Sequence, residues 1–165
     1  MVDLGVGSGA ITIALVSERA DWHCIGVDVS KGALRVASKN SKRLLSKGGC
    51  SLVASNWLDA IAQGSVDLVV SNPPYIEGND PHLDVGDLRF EPRSALVSER
   101  NGLDDIRAIC QQAKVSLVSG GYLIVEHGWQ QQPQVVELFR DNGFVNIEQG
   151  RDLAGQPRYV LARCI

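Results

Sequence analysis

Short apolar runs alternate with longer helical patterns along most of the chain, and this alternation restricts the fold more than any other feature. The apolar runs predict strands over residues 1–4, 23–28, 50–54, 66–71 and 122–126. The intervening patterns predict helices over residues 9–19, 31–47, 103–117 and 133–142, with a short helical stretch over 58–63. Strands that alternate with helices form a parallel sheet covered on both faces. We therefore predict an α/β fold in a single domain, residues 1–165.

The end of the chain departs from this alternation. Two strands, residues 144–149 and 158–164, follow each other with only a short loop between them. We expect them to pair antiparallel at one edge, which gives a mostly parallel seven-stranded sheet with an antiparallel C-terminal strand.

Ser30 is a suitable N-cap for helix 31–47, and Gly48-Gly49 is expected to end that helix.

Composition excludes several classes of function. The net charge is −3 and the pI about 5.6, which argues against a broad nucleic-acid-binding surface. The four cysteines form no C-x-x-C pair, so we expect reduced thiols in a cytoplasmic protein and no metal site. No apolar run reaches the ~18–20 residues of a membrane span. We expect a monomer that contacts neither membrane nor nucleic acid.

The helix 31–47 carries six basic residues, predicted to form a solvated face: Lys31, Arg35, Lys39, Lys42, Arg43 and Lys47.

The first strand is unusually abrupt. Only residues 1–4 precede a glycine-rich loop, whereas a central strand is normally longer and has an element ahead of it. We therefore expect a catalytic domain that is truncated at its N-terminus.

The glycine-rich loop predicts a cofactor site. It contains Gly5, Val6, Gly7, Ser8 and Gly9 between a strand and a helix. Glycines let a ligand approach the backbone, and the helix N-terminus supplies free N–H groups.

Two acidic residues refine this interpretation. Asp28 lies nineteen residues after Gly9 and can hold ribose hydroxyls. The spacing of Gly5, Gly7 and Ala10 also fits a dinucleotide fingerprint. Asp3 favours S-adenosylmethionine, because it can receive that cofactor's cationic amino group and would repel a pyrophosphate. A loop-capping role for Asp3 is the alternative.

The tetrapeptide Asn72-Pro73-Pro74-Tyr75 follows the strand 66–71 and predicts the acceptor site. Consecutive prolines fix their own φ angles, restrict the preceding residues and donate no backbone N–H groups. The rigid loop offers two acceptors, the Asn72 side-chain oxygen and the Pro73 carbonyl. Two adjacent acceptors suit a planar –NH2 group, so the loop is typical of nitrogen methylation. A simple proline-rich turn is the alternative.

Further site residues are predicted at other strand ends. Asn56 and Trp57 follow the third strand, where adenine can stack on Trp57 while Asn56 bonds its edge; a Trp that only covers the sheet rim is the alternative. Asn72 is also placed beside the cofactor. The long irregular segment 76–101 predicts a functional loop, with Glu91-Pro92 as its inner part.

The chain resembles the HemK/PrmC family of peptide chain release factor glutamine methyltransferases. The motifs that carry the resemblance appear in order: Asp3-Leu4-Gly5-x-Gly7-x-Gly9-Ala10-Ile11, Asp28, Ser71-Asn72-Pro73-Pro74-Tyr75-Ile76, Asp80-Pro81-His82-Leu83, Arg89-Phe90-Glu91-Pro92, Ala95-Leu96, Gly120-Gly121-Tyr122-Leu123, Glu126-His127-Gly128-Trp129-Gln130-Gln131 and Arg151-Asp152-Leu153-Ala154-Gly155.

The resemblance implies a Rossmann-like class I methyltransferase. It implies S-adenosyl-L-methionine as donor and, as acceptor, the glutamine of a Gly-Gly-Gln motif in class I peptide chain release factors. It also implies an N-terminal helical domain that this chain lacks, and an acid where Asn56 stands. The rival functions are an adenine-amino nucleic-acid methyltransferase and a non-catalytic cofactor-binding remnant, with a nicotinamide-dependent oxidoreductase as a more distant third.

Overall fold

The computed structural model describes residues 1–45, 50–77, 97–98 and 102–165. In chain order its elements are β1 (Val2–Leu4), α1 (Ala10–Glu18), β2 (Ile25–Asp28), α2 (Lys31–Leu44), β3 (Ser51–Ala54), β4 (Val66–Ser71), β5 (Ile76–Glu77), β6 (Val97–Ser98), α3 (Asp104–Ser116), β7 (Leu117–Glu126), α4 (Gln132–Asp141), β8 (Val145–Arg151) and β9 (Pro157–Arg163).

Seven strands form one sheet in the order β3-β2-β1-β4-β7-β9-β8. β1, β2, β3, β4 and β7 pair in parallel, whereas β9 runs antiparallel to both β7 and β8. This confirms the predicted α/β sheet, including its antiparallel strand near the C-terminus. The short strands β5 and β6 form a separate parallel pair.

The hydrophobic core includes β1, which lies in the middle of the sheet. All three β1 residues are buried, because strands on both sides and layers on both faces exclude water from it. Helices α3 and α4 supply the largest buried apolar side chains of one layer, including Ile106, Ile109, Val135 and Phe139. Burial of each such side chain contributes about 1.5–3 kcal/mol, which fixes the sheet under the strand ends that carry the site.

Helix α2 begins as its sequence predicts. The Ser30 hydroxyl accepts a hydrogen bond from the Ala33 N–H at 3.2 Å, so the predicted N-cap is confirmed. The described basic residues of α2 are exposed, in agreement with a solvated face. The predicted end at residue 47 is wrong, because Leu45 is already extended. The predicted stop at Gly48-Gly49 lies outside the described residues, as does Lys47.

Two further element predictions are wrong. Residues 58–63 form turns instead of a short helix. The N–H groups of Asp59 and Ile61 bond to carbonyls three residues earlier, which is the pattern of turns and not of an α-helix. The Leu58 N–H donates to the Gln112 side-chain oxygen of α3 at 2.6 Å. Strand β7 starts at Leu117 instead of Tyr122, because Gly120, with φ +88°, continues the strand through an irregularity in register.

Within the described part of the chain, no helix combines the length and apolar character needed to cross a membrane.

Candidate functional site

The glycine-rich loop connects the end of β1 to the start of α1. Gly5, Gly7 and Gly9 all have positive φ angles, of +69°, +52° and +87°. L-residues with side chains rarely adopt this conformation, so the path of the loop depends on glycine. A methyl group at Gly9 would also lie 3.3 Å from Ile13 Cδ1 and 3.5 Å from Ala37 Cβ, so this glycine lets α1 and α2 approach closely.

Asp28 links the end of β2 to this loop. One carboxylate oxygen accepts from the Gly7 N–H at 3.0 Å, and the other accepts from the Ser30 N–H at 2.8 Å. The side chain is half-buried, and each carboxylate oxygen has further acceptor capacity. The structure therefore brings Asp28 and Gly7 together and leaves Asp28 able to accept from a ligand.

Asp3 is buried beneath the loop, with 1% of its surface exposed. Its Oδ2 accepts from both the backbone N–H and the hydroxyl of Thr12, at 3.1 and 2.7 Å. Its Oδ1 has no hydrogen-bond partner among the described residues. Burial raises the pKa of Asp3 to about 6; the Thr12 bonds oppose that rise and the charge of Asp28 adds to it. Oδ2 thus caps the first turn of α1, whereas a loop-capping role was the alternative given above, and Oδ1 is buried without a hydrogen-bond partner among the described residues.

Three loops meet at Gly5. A methyl group at this position would lie 3.8 Å from Trp57 Cζ3 and 3.9 Å from the backbone oxygen of Asn72. Gly5 follows β1, Trp57 follows β3 and Asn72 follows β4, so the structure brings together residues that lie at the carboxyl ends of separate strands. Ligands of open α/β sheets bind at this edge, beyond the strand ends.

Trp57 has an unusual backbone conformation. Its φ is +42°, which for a bulky residue costs on the order of 1–3 kcal/mol and is most often found at functional sites. The indole is half-buried and packs against the hydrophobic core. The neighbouring Asn56 is exposed at the same strand end.

The acceptor loop, residues 72–75, leaves β4 at the same edge. The Asn72 side chain is exposed, Pro73 is buried, and Pro74 and Tyr75 are half-buried. Ser71, the last residue of β4, donates its hydroxyl hydrogen to the Leu4 carbonyl at 2.9 Å. A hydrogen bond therefore connects the residue that precedes the proline loop to the residue that precedes the glycine loop. The predicted inner segment Glu91-Pro92 lies outside the described residues.

Tyr75 is held by residues for which the local sequence pattern predicts no role. The Tyr75 hydroxyl donates to Glu126 Oε1 at 3.1 Å, and the Tyr75 carbonyl accepts from Gln131 Nε2 at 3.0 Å. Burial raises the pKa values of both Tyr75 and Glu126. Arg158 lies near this pair, and it forms an ion pair with Asp152 at 3.0 Å. The available signal was position, because Glu126 is the last residue of β7 and residues 127–131 follow it at the same edge as the other predicted residues.

His127 is fully buried next to Glu126. Its Nδ1 lies 2.8 Å from the Gly128 carbonyl, while its Nε2 has no partner among the described residues. Burial lowers its pKa, so the ring is neutral at pH 7, with Nδ1 as the donor.

Other features of the described residues do not compete with this site. A shallow cavity of about 330 Å³ on the sheet is lined by Ile124, Glu148, Gln149, Tyr159 and Leu161. None of the predicted site residues lines it, so we assign the ligand site to the strand ends. The described residues contain no cluster of His, Cys, Asp or Glu suited to a metal ion.

The sheet topology and the family comparison define a class I S-adenosylmethionine-dependent methyltransferase domain. The model of the family named methyltransferase small domain matches residues 1–99, and the chain belongs to this family.

Two curated relatives indicate which kind of methyltransferase the chain is similar to. The chain is 44% identical over 163 residues to the release factor glutamine methyltransferase of Escherichia coli, and 42% identical over 163 residues to that of Salmonella typhimurium. Each alignment covers 99% of this chain and 58% of the relative. The chain thus spans somewhat more than half the length of these relatives.

Solved structures share the fold at low sequence identity. A ribosomal protein L11 methylase from Lactobacillus delbrueckii matches with a TM-score of 0.70 and 19% identity, covering 99% of this chain and 69% of the other. A methyltransferase from Pyrococcus furiosus matches with a TM-score of 0.72 and 17% identity, covering 99% and 74%. The predicted class I methyltransferase fold is therefore confirmed.

Proposed function

We propose that this chain transfers a methyl group from S-adenosylmethionine to the side-chain amide nitrogen of the glutamine in the Gly-Gly-Gln motif of class I peptide chain release factors. The observation that carries the proposal is the meeting of Trp57 and Asn72 at Gly5, because it sets a cofactor loop beside a loop suited to an –NH2 group. The identity of 42–44% to release factor glutamine methyltransferases supports this choice of acceptor.

The residues around the glycine loop fit the cofactor. The N–H groups at the start of α1 and the small residues Gly5–Gly9 suit close approach of its methionine part, and Asp28 suits the ribose hydroxyls. The free Oδ1 of Asp3 fits a cationic amino group, since a buried oxygen without a partner gains most from a donor. Trp57 offers an aromatic face for adenine, with Asn56 at its edge. When bound, the cofactor supplies an electrophilic methyl group on a sulfonium centre.

The acceptor loop suits an amide substrate. An amide nitrogen is a weak nucleophile, because its lone pair is delocalised into the carbonyl. The Asn72 side-chain oxygen and the Pro73 carbonyl each accept one amide hydrogen, which orients the lone pair away from the loop. Such positioning can contribute roughly 7–11 kcal/mol to a rate enhancement. A strong base at the nitrogen would not be required. The methyl–sulfur bond would break as the methyl–nitrogen bond forms, which would leave a neutral thioether, and the strongly acidic N–H proton would then pass to water.

A direct assay tests the proposed function. The chain should methylate a Gly-Gly-Gln peptide and a purified class I release factor in the presence of S-adenosylmethionine, and mass spectrometry should place the added methyl group on the glutamine. An adenine-rich oligonucleotide and a peptide with Gly-Gly-Asn serve as controls. Methylated oligonucleotide with unmodified protein would replace the proposal with the nucleic-acid alternative. Tight cofactor binding without transfer to any substrate would favour a non-catalytic domain.

Asp28→Ala should weaken cofactor binding by on the order of 1.5–3 kcal/mol, or roughly 10- to 150-fold, because charge-assisted hydrogen bonds to the ribose are lost. Calorimetric titration with S-adenosylmethionine measures the change. Asp28→Asn is the matched variant, since it keeps an acceptor for the Gly7 N–H while it removes the charge and the acceptor for the Ser30 N–H. Asp59→Ala, an exposed position after β3, should bind as the wild type does. Equal affinities for Asp28→Ala and the wild type would remove Asp28 from the cofactor site.

A further inference from the structure

The acceptor loop has only two backbone donors, the N–H groups of Asn72 and Tyr75, with which to fix its own position. Pro73 and Pro74 have no N–H groups, so the loop presents mainly acceptors to its surroundings. Its direction after Pro74 therefore depends on donors from other elements. The described structure supplies one such donor to the Tyr75 carbonyl, the side-chain amide of Gln131 at 3.0 Å.

Gln131 is itself held firmly at the start of α4. Its Oε1 accepts from the Gly128 N–H at 2.8 Å, and its backbone N–H donates to the Gly128 carbonyl at 2.9 Å. The side-chain amide therefore bridges two backbones, accepting from one and donating to the other. The reverse orientation of the amide would oppose oxygen to oxygen at Tyr75 and donor to donor at Gly128, so only one orientation satisfies both groups.

Two glycines make room for this bridge. A methyl group at Gly128 would lie 3.0 Å from Gln131 Oε1, and one at Gly102 would lie 2.6 Å from Gln131 Nε2 and in contact with the Tyr75 carbonyl. Gly102 is buried and has a φ of +70°, so its conformation also favours glycine. The Gln131–Tyr75 hydrogen bond is enclosed between these two backbones, where a hydrogen bond is stronger than in open water.

We infer that Gln131 is a positioning residue for methyl transfer, because its side-chain amide holds the Tyr75 carbonyl and so sets the direction of the Asn72–Tyr75 loop. This inference rests on the proposed function for the identity of the acceptor. Gln131 acts through the Tyr75 carbonyl, to which its side chain donates. The Tyr75–Glu126 hydrogen bond fixes the ring of the same residue, so main chain and side chain are held from the same connection between β7 and α4.

Two substitutions separate positioning from general stability. Gln131→Glu is nearly isosteric but cannot donate to the Tyr75 carbonyl when ionised. Gln131→Met has similar length, carries no charge and loses the hydrogen bonds to the Gly128 N–H and the Tyr75 carbonyl. Gln134→Glu is the matched control, because it makes the same charge change at an exposed position in the first turn of α4.

The measurements are kcat and KM for a Gly-Gly-Gln peptide, the cofactor Kd by calorimetry, and the melting temperature. We expect kcat to fall about 10- to 100-fold in both Gln131 variants, the range expected when a reacting group is misplaced by about 1 Å. The cofactor Kd should stay within about threefold of the wild-type value, since no cofactor-binding residue is changed. Gln134→Glu should keep the wild-type kcat.

Wild-type kcat in Gln131→Met would overturn the inference. So would a parallel loss of folding or cofactor affinity in both Gln131 variants, because that pattern belongs to a general structural role. An inactive wild type would instead contradict the proposed function. In that case crystal structures of the wild type and Gln131→Met decide the matter: a shifted path of residues 72–75 supports the inference, and an unchanged path overturns it.

Discussion

Asn72→Ala should lower the rate of methyl transfer about 100- to 1,000-fold, the effect typical of removing one preorganised hydrogen-bonding group from a reaction centre. The substitution removes the side-chain acceptor for one amide hydrogen and keeps both prolines that shape the loop. Because the Asn72 side chain is exposed, the loss of folding stability should stay within about 0.5 kcal/mol. The cofactor should bind almost normally, so the defect should appear in kcat.

Asn56→Ala provides the matched comparison. Asn56 is also an exposed asparagine at a strand end, but it follows β3 and is assigned to the adenine edge. Its substitution should raise the cofactor Kd and leave the rate at saturating cofactor unchanged. Single-turnover assays with a Gly-Gly-Gln peptide, together with calorimetry, distinguish the two effects. If Asn72→Ala transfers the methyl group as fast as the wild type, the amide of the substrate is not held by Asn72.

Local patterns predicted much of the fold. The alternation of apolar runs and helices gave the parallel sheet, and Ser30 predicted the start of α2. These features depend on residues close together in the chain, where periodicity and capping act directly. The segment 58–63 was predicted wrongly, and its contact with Gln112 joins residues that are 54 positions apart in the chain. No local pattern carries that information.

In the candidate site, too, features set by residues close together in the chain were predictable, and contacts between distant residues were not. The glycine loop, Asp28 and the proline loop each carry a recognisable local motif, and the strand order brings them to one edge. The contacts that hold Tyr75 join residues 51 and 56 positions apart, so neither Glu126 nor Gln131 could be paired with it from spacing. The capping of α1 by Asp3 also required the geometry of Thr12, which lies nine positions away.

Asp3→Asn should weaken cofactor binding and make folding stability less dependent on pH. The ionised carboxylate is buried, and its free Oδ1 is the group assigned to the cofactor's cationic amino group. Loss of this charge pair should raise the Kd for S-adenosylmethionine at least tenfold, which corresponds to about 1.4 kcal/mol. Asp21→Asn, at an exposed position, should change neither quantity.

The pH dependence of stability gives a separate measurement on the cofactor-free chain. The pKa of Asp3 is about 6 in the folded state and near 3.8 when unfolded, so the folded state binds the proton more tightly. Its stabilising contribution is complete below the unfolded pKa and is lost as pH rises through about 6. The loss is on the order of 3 kcal/mol, at 1.36 kcal/mol for each pKa unit. In urea unfolding, the free energy of unfolding of Asp3→Asn minus that of the wild type should therefore increase between about pH 4 and pH 8. The buried amide can lower this difference by a constant amount, but that penalty does not change with pH. A difference that stays flat across this range, with an unchanged cofactor Kd, would show that Asp3 serves only to cap α1.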